Sequence, residues 1–379
     1  MENMVNFKQL ENVYKNKKIF LTGHTGFKGS WLLKTLTLLG ADVKGYALPP
    51  HTSNDLFNLI KGEKICNSVI ADIRDKKRLE LEILNYQPDF IFHLAAQPLV
   101  RLSYKIPCET FEVNVIGTAN LFDSIRLLNK KCTIIVITTD KVYFNYEWAY
   151  PYRETDRLGG YDPYSASKAC TELLVDSYRN SFFNKNYYEK HLKAIAVARA
   201  GNVIGGGDWS ADRLIPDIVR SLYENKPIII RNPSAIRPWQ HVIDPINGYL
   251  LLGLKLENNP LRFSEAFNFG PESEDTFSVA EMVELAIKQW GGGDFKIEMN
   301  DNQPHEAGVL KLDINKAKSE LDWKPLMNAE NAIKSTIMWY NKFKSDIVFK
   351  NNISDLLRLN FNSNPNNVSS LFFIFYFKY

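Results

Sequence analysis

Three groups of residues in this chain of 379 have the types and spacing to do chemistry. Tyr164 and Lys168 stand four apart near the start of a predicted helix, so both project from one helix face, one turn apart. A phenol is a poor base at neutral pH, but an ammonium beside it favours the phenolate, which can take a proton from an alcohol. Thr138, Thr139, Asp140 and Lys141 end a predicted strand at the sheet edge where ligands bind. A hydroxyl there can hold a substrate alcohol. An acid and a base side by side suggest a second proton transfer, that of an elimination. The third group is the loop Gly23-His24-Thr25-Gly26-Phe27-Lys28-Gly29, between a predicted strand and a predicted helix from Ser30 to Leu39. Its glycines permit a tight turn, close approach of the backbone to a pyrophosphate and close packing of helix on strand, while the helix N-terminus offers N–H groups to the anion. Strand, loop and helix in that order predict a dinucleotide site.

A parallel sheet must position these groups. Short apolar runs at 18–22, 42–46, 67–72, 90–94 and 133–139 alternate with helix-period segments at 31–39, 76–85 and 113–129, the pattern of strands joined by crossover helices. A sixth strand, 194–198, follows a long helix from Tyr164 toward Ser181. The fold class predicted is α/β, a doubly wound parallel sheet over residues 1–200, with a smaller interleaved substrate-binding region over 201–345. Asp244-Pro245 reads as an N-cap followed by proline at the first helical position, and Ser278 with Glu281 as a capping box opening a helix to Trp290. Asp72, ending the third strand, is placed to meet an adenine. No carboxylate follows the second strand, which ends Gly45-Tyr46-Ala47-Leu48, so the residues leave NAD and NADP open, and Lys28 could face a 2′-phosphate.

Composition excludes several classes. With 46 basic and 43 acidic residues the net charge is +3, which gives no field to steer nucleic acid or an anionic membrane. Cys66, Cys108, Cys132 and Cys170 are scattered without a CxxC pair, so neither a metal site nor a disulfide framework is expected. No apolar run approaches the roughly 18 residues of a membrane span, and the first seventeen residues lack the apolar stretch of a signal peptide; a cytoplasmic protein is expected. Residues 346–379 differ from the rest, being Asn- and Ser-rich before the apolar block Leu371 to Phe377, and are expected to be a poorly ordered tail.

The segments TGHTGFKG (Thr22 to Gly29), HLAAQPLVRLSY (His93 to Tyr104), TTDKVY (Thr138 to Tyr143), GGYDPYSASKA (Gly159 to Ala169), RAGNVIGGGDW (Arg199 to Trp209), DRLIPD (Asp212 to Asp217) and RPWQHV (Arg237 to Val242) together resemble the extended short-chain dehydrogenase/reductase superfamily. Within it they look most like the CDP-glucose 4,6-dehydratase family, with TTDK, GGGDW and RPWQHV the narrowing motifs. The resemblance implies a Rossmann-type fold, NAD as a recycled cofactor, CDP-glucose as substrate and a homo-oligomer, dimer or tetramer. It implies cofactor contacts at Gly23, Thr25, Gly26, Phe27, Lys28, Gly29, Asp72, Ile73, Leu94, Ala95, Ala96 and Gln97, with Tyr164 and Lys168. It implies that Tyr164 takes the 4-hydroxyl proton as carbon 4 is oxidised, that Thr139 holds that hydroxyl, that Lys141 takes the carbon 5 proton, and that Asp140 protonates the hydroxyl leaving carbon 6. The hydride returns to carbon 6, giving CDP-4-keto-6-deoxyglucose and water. A lysine base must be neutral to act, which desolvation favours. Asn202 and Arg237, and more weakly Arg213 and His241, are implied for the nucleotide diphosphate. The alternatives left open are another nucleotide-sugar 4,6-dehydratase, a 4-epimerase, or a non-catalytic binding protein of the same fold.

Overall fold

A computed structural model describes residues 7–298 and 308–345; the tail expected at 346–379 lies outside the described residues. The predicted strands form, β1 with the predicted ends and the others with an end displaced by one or two residues: β1 Lys18–Thr22, β2 Asp42–Ala47, β3 Asn67–Ile70, β4 Phe90–His93, β5 Cys132–Thr138 and β6 Lys193–Arg199. A further strand, β7 Ala266–Asn268, comes from the second half of the chain. They lie in the order β7-β6-β5-β4-β1-β2-β3, and every adjacent pair is parallel. The direction of winding reverses between β1 and β4, and the crevice at the carboxyl ends of those strands is where such sheets take ligands.

Alternation along each strand divides the core in two. Ile19, Leu21, Ile135 and Ile137 face one layer of helices, including Leu32 and Leu36 of Phe27–Leu38 and Tyr249 and Leu250 of Ile243–Asn258. Phe20, Ile134 and Val136 face the other, with Leu79 and Ile83 of Lys76–Tyr86, Leu121 and Ile125 of Gly117–Arg126, and Val175 of Pro163–Ser181. Successive strand residues point to opposite faces, and both faces are covered, so the strands read as unbroken apolar runs.

Four expectations are corrected in detail. The helix after the glycine loop begins at Phe27, with Gly26 as N-cap, so Phe27, Lys28 and Gly29 form its first turn. Strand β3 stops at Ile70, and Asp72 lies in the loop beyond it. The helix expected over 113–129 opens into a π turn at Glu112–Ile116 before continuing as Gly117–Arg126. The Asn114 carbonyl accepts from the Thr118 hydroxyl at 2.6 Å and the Thr171 hydroxyl at 3.0 Å, and these compete with the regular helical ladder.

Asp244 is the fourth. The helix Ile243–Asn258 takes Val242 as N-cap, so Asp244 already lies inside its first turn. It is fully buried, and its Oδ1 accepts from the Leu326 N–H at 2.7 Å, pinning the chain that leads to the last described helix, Ala329–Ser345. Burial pushes its carboxyl up to about 7. A carboxyl raised in the fold binds protons that the unfolded chain has released, so its contribution to stability is full below the unfolded pKa and is lost as pH rises toward 7. Asp244→Asn, which keeps an acceptor for Leu326, is expected to raise Tm relative to the parent at pH 8 and to leave it unchanged at pH 4, as read by thermal unfolding at both. The capping box at Ser278 and Glu281 forms as predicted and opens Val279–Trp290.

Candidate active site

Strand β5 delivers the catalytic candidates and the helix Pro163–Ser181 meets them. Thr139 follows the strand in extended conformation and caps the short turn Asp140–Val142. Asp162 and Ser165 form a capping box around Pro163, which fixes where that helix starts and so where Tyr164 lies. The Ser103 hydroxyl accepts from the Tyr164 N–H at 3.1 Å, and Lys168 Nζ donates to the Ile137 carbonyl at 3.2 Å. Helix and strand are thereby locked face to face.

The side chains join in series. The Thr139 hydroxyl acts on the Tyr164 phenol, favouring its ionised form against the larger effect of burial. Thr139 Oγ1 donates to Asp140 Oδ1 at 2.8 Å, and Asn202 Nδ2 donates to Asp140 Oδ2 at 2.9 Å. Asp140 is 0% exposed and Lys141 half-buried. Asn202 adopts a left-handed conformation, φ 49°. At Gly201 a Cβ would stand 1.8 Å from Asp140 Oδ1, so only glycine lets the backbone lie against this carboxylate.

Burial and crowded positive charge set the electrostatics. Burial pushes the Tyr164 phenol up to about 12, against the pull of Arg213. Burial pulls Lys168 down to about 8 while the Glu172 carboxylate opposes it. Lys28 is pulled down to about 7 by burial, then by the cations Arg213 and Lys168. Three cationic groups thus sense one another, which is the environment an anion would relieve.

The glycine loop fits a dinucleotide pyrophosphate on its own geometry. A Cβ on Gly29 would meet the Gly23 carbonyl oxygen at 1.9 Å, and one on Gly23, whose φ is 74°, would meet Ala95 N at 2.8 Å. The first helical turn has no side-chain cap, leaving its N–H groups free to face an anion. The Thr22 hydroxyl accepts from the Leu94 and Ala95 N–H groups, each at 3.1 Å, tying β1 to the loop after β4. Thr25 Oγ1 donates to the Leu48 carbonyl at 2.8 Å, and Gln97 is held by Asn114 Oδ1, which accepts its N–H at 2.8 Å. Leu94, Ala95 and Ala96 are half-buried, Ile73 is buried, and Phe27 closes on Gly205. The Asp72 carboxylate is engaged by Arg74 Nε, which donates to both its oxygens at 3.1 Å and holds it below the usual carboxylate range.

The residues expected at the diphosphate are not gathered alike. Arg213 pairs with Asp208 at 3.1 Å and reaches Tyr164 and Lys28 electrostatically. Arg237 is mostly buried and donates to the Ile236 and Gly308 carbonyls at 3.0 and 3.2 Å. The Asn202 amide is committed to Asp140. His241 sits in the core, 0% exposed and edge-on to Trp31, and burial lowers it to about 3.

Two supporting residues escaped the reading of the sequence. Asn114 anchors Gln97 and donates to Ser167 Oγ at 2.8 Å, and an Asn inside a helix was the available signal. Glu172, one turn beyond Lys168, accepts from Thr138 Oγ1 at 2.6 Å and from Arg199 Nε at 2.9 Å, while Arg199 NH1 donates to Tyr143 Oη at 2.7 Å. This buried pair ties β5, β6 and the Tyr164 helix into one block.

Residues 20–336 match the family model of the GDP-mannose 4,6 dehydratase family. The chain belongs to that family. Within the extended short-chain dehydrogenase/reductase superfamily, this dehydratase-family chain is 47% identical over 330 residues to the CDP-glucose 4,6-dehydratase of Salmonella typhimurium, covering 87% of this chain and 92% of that one. It resembles two solved structures, each at 22% identity. One is the Thermotoga maritima UDP-glucose 4-epimerase with UDP-glucose, with TM-score 0.74 and coverage of 86% of this chain and 100% of that one. The other is the Bacillus anthracis dTDP-glucose 4,6-dehydratase in complex with NAD, with TM-score 0.72 and coverage of 87% and 98%. The fold is therefore the Rossmann-type α/β fold of these epimerases and dehydratases. Among the described residues no helix is long and apolar enough to cross a membrane.

Proposed function

We propose that this chain is a lyase that converts CDP-glucose to CDP-4-keto-6-deoxyglucose and water with NAD as its resident cofactor. The observation that carries the reading is the meeting of two sets of groups around Thr139. Tyr164, fit to exchange a proton with an alcohol, is within reach of the Thr139 hydroxyl, which donates to Asp140, and Asp140 adjoins Lys141. A 4-epimerase needs only the first part; the acid and base beyond Thr139 suit loss of water. The 47% identity to a protein named for this activity supports it.

NAD, when bound, would supply the hydride acceptor for carbon 4 and the hydride source for carbon 6. The glycine cradle, the uncapped helix N-terminus and Lys28 would hold its pyrophosphate, and Ile73 and the 94–97 loop would wall it, with Asp72 near the adenine. Tyr164 accepts the 4-hydroxyl proton. The ketone so formed acidifies carbon 5, Lys141 removes that proton, and Asp140 protonates the departing 6-hydroxyl. Arg213 and Arg237 suit the substrate diphosphate because guanidinium donates to phosphate bidentately. Asn202 acts in this scheme through Asp140, and His241 through packing.

With CDP-glucose deuterated at carbon 4, the product is expected to carry the label at carbon 6, with solvent deuterium at carbon 5, as read by NMR. Label lost to solvent, or a product that keeps its 6-hydroxyl, refutes the proposal.

A further inference from the structure

Resting on that reading of the reaction, we infer that Gln240 is a positioning residue for the elimination: it fixes the backbone at Gly201 and Asn202, which in turn holds the Asp140 carboxyl in place for the departing hydroxyl. Gln240 lies in the segment Arg237 to Val242, between Arg237 and His241, the two residues of that segment implied for the diphosphate.

Three neighbours bound the Asp140 carboxylate. Thr139 Oγ1 donates to Oδ1 at 2.8 Å, and Asn202 Nδ2 donates to Oδ2 at 2.9 Å. Gly201 lies so close that a Cβ on it would stand 1.8 Å from Oδ1 and 2.3 Å from Oδ2. Thr139 precedes Asp140 in the chain and stays beside it. Gly201 and Asn202 come from the loop that leaves β6, and neither secures itself. Glycine has no side chain to anchor and the widest backbone freedom. Asn202, at φ 49°, occupies a region that costs a non-glycine residue energy and persists only where the surroundings impose it.

Gln240 imposes it. Its main-chain N–H donates to the Asn202 carbonyl at 3.3 Å, where the short strand Gln240–His241 pairs with Val203–Ile204. Its side-chain Nε2 donates to the Gly201 carbonyl at 3.1 Å and to the Phe269 carbonyl at 2.8 Å. The carbonyls of Gly201 and Asn202 belong to the two peptide groups that flank the Asn202 Cα, and holding both fixes the left-handed turn between them. The third bond braces the amide against the sheet, because Phe269 follows β7 and its own N–H donates to the Arg199 carbonyl at 2.8 Å. Gln240 is 1% exposed, and its Oε1 has no hydrogen-bond partner among the described residues. An unpaired buried acceptor is costly, and an apolar residue of the same length would avoid that cost. What such a residue would forfeit is the pair of donor bonds.

The forfeit falls on one half of the reaction. In the elimination Lys141 takes the carbon 5 proton, the C5–H electron pair becomes the second bond between carbons 5 and 6, and the C6–O bond breaks with its pair. Asp140 gives its proton to that oxygen, which departs as water. A carboxyl displaced by about 1 Å slows this step by about 10²-fold. Oxidation at carbon 4 relies on Tyr164 and NAD and is spared.

The test uses the NAD-loaded enzyme with CDP-glucose. Gln240→Met keeps the length of the side chain and loses both donors. It is expected to lower kcat by about 10²-fold with KM unchanged. Reduced nicotinamide should accumulate, read by near-ultraviolet absorbance, together with a 4-keto sugar that keeps its 6-hydroxyl, identified by NMR after quenching. Asp140→Asn should give the same pattern. Because Gln240 acts through Asp140, adding Gln240→Met to Asp140→Asn should cost at most about twofold more. Gln240→His, which retains one N–H donor, should show the pattern with a smaller loss, and it carries the test if Gln240→Met does not fold. Parental turnover in Gln240→Met, a loss without accumulated reduced nicotinamide, or losses that multiply in the double variant each overturn the role of Gln240 while leaving the reading of the reaction intact. A parent enzyme that removes no water from CDP-glucose overturns that reading, and the role of Gln240 with it.

Discussion

Replacing Tyr164 with phenylalanine is expected to lower turnover of CDP-glucose by about 10³-fold, within the range by which a positioned proton-transfer group accelerates a reaction. The ring stays, so the packing of the helix Pro163–Ser181 against β5 survives and Tm should move little. What is lost is the phenolic oxygen that takes the proton of the substrate alcohol. Deuterium at carbon 4 separates the outcomes: the variant should neither move the label nor accumulate reduced nicotinamide, yet should bind NAD as the parent does. A variant that keeps a tenth or more of parental turnover would remove Tyr164 from the chemistry.

Glu172→Ala is expected to destabilise the protein by about 3–5 kcal/mol, because it strands a buried guanidinium. Arg199 is 3% exposed and Glu172 likewise 3%, so little solvent is at hand to replace the lost partner. The Thr138 hydroxyl loses its acceptor in the same step, immediately before Thr139. On the scale of a few degrees per kcal/mol, Tm should fall by roughly 10 °C. Glu172→Gln separates charge from packing. Burial lowers Lys168 and the Glu172 carboxylate opposes that, so neutralising residue 172 lets Lys168 fall further. Lys168 then loses its charge at lower pH, and the alkaline limb of the kcat/KM profile should move to lower pH. An unmoved limb together with an unchanged Tm would show that the Glu172–Arg199 pair neither stabilises the block nor tunes Lys168.

Both predictions turn on residues that differ in how far the sequence announced them. Tyr164 was legible because YxxxK places two side chains on one helix face, and a helix fixes that relation locally. Glu172 continues the same face by one more turn, yet its partner Arg199 is 27 residues away at the end of β6. Asn202 was assigned to a diphosphate on its motif, and its left-handed backbone and its bond to Asp140 came from how the chain after β6 returns to β5. His241 carried the same motif-level expectation, but the short strand Gln240–His241 that bears it pairs with Val203–Ile204 and turns the imidazole inward against Trp31.

What the sequence by itself determined is what local physics determines. Unbroken apolar runs, a glycine loop between strand and helix, Pro163 behind Asp162, and the Ser278 and Glu281 pair each prescribe a conformation through neighbours in the chain. What only the tertiary structure decided is the relation between segments far apart. The capture of β7 by the sheet, the burial of Asp244 and His241, and the run from Thr139 through Asp140 to Asn202 are of this kind. They depend on which atoms meet when the crossovers close, and hydrogen-bond direction and burial have no period along the chain from which to be read.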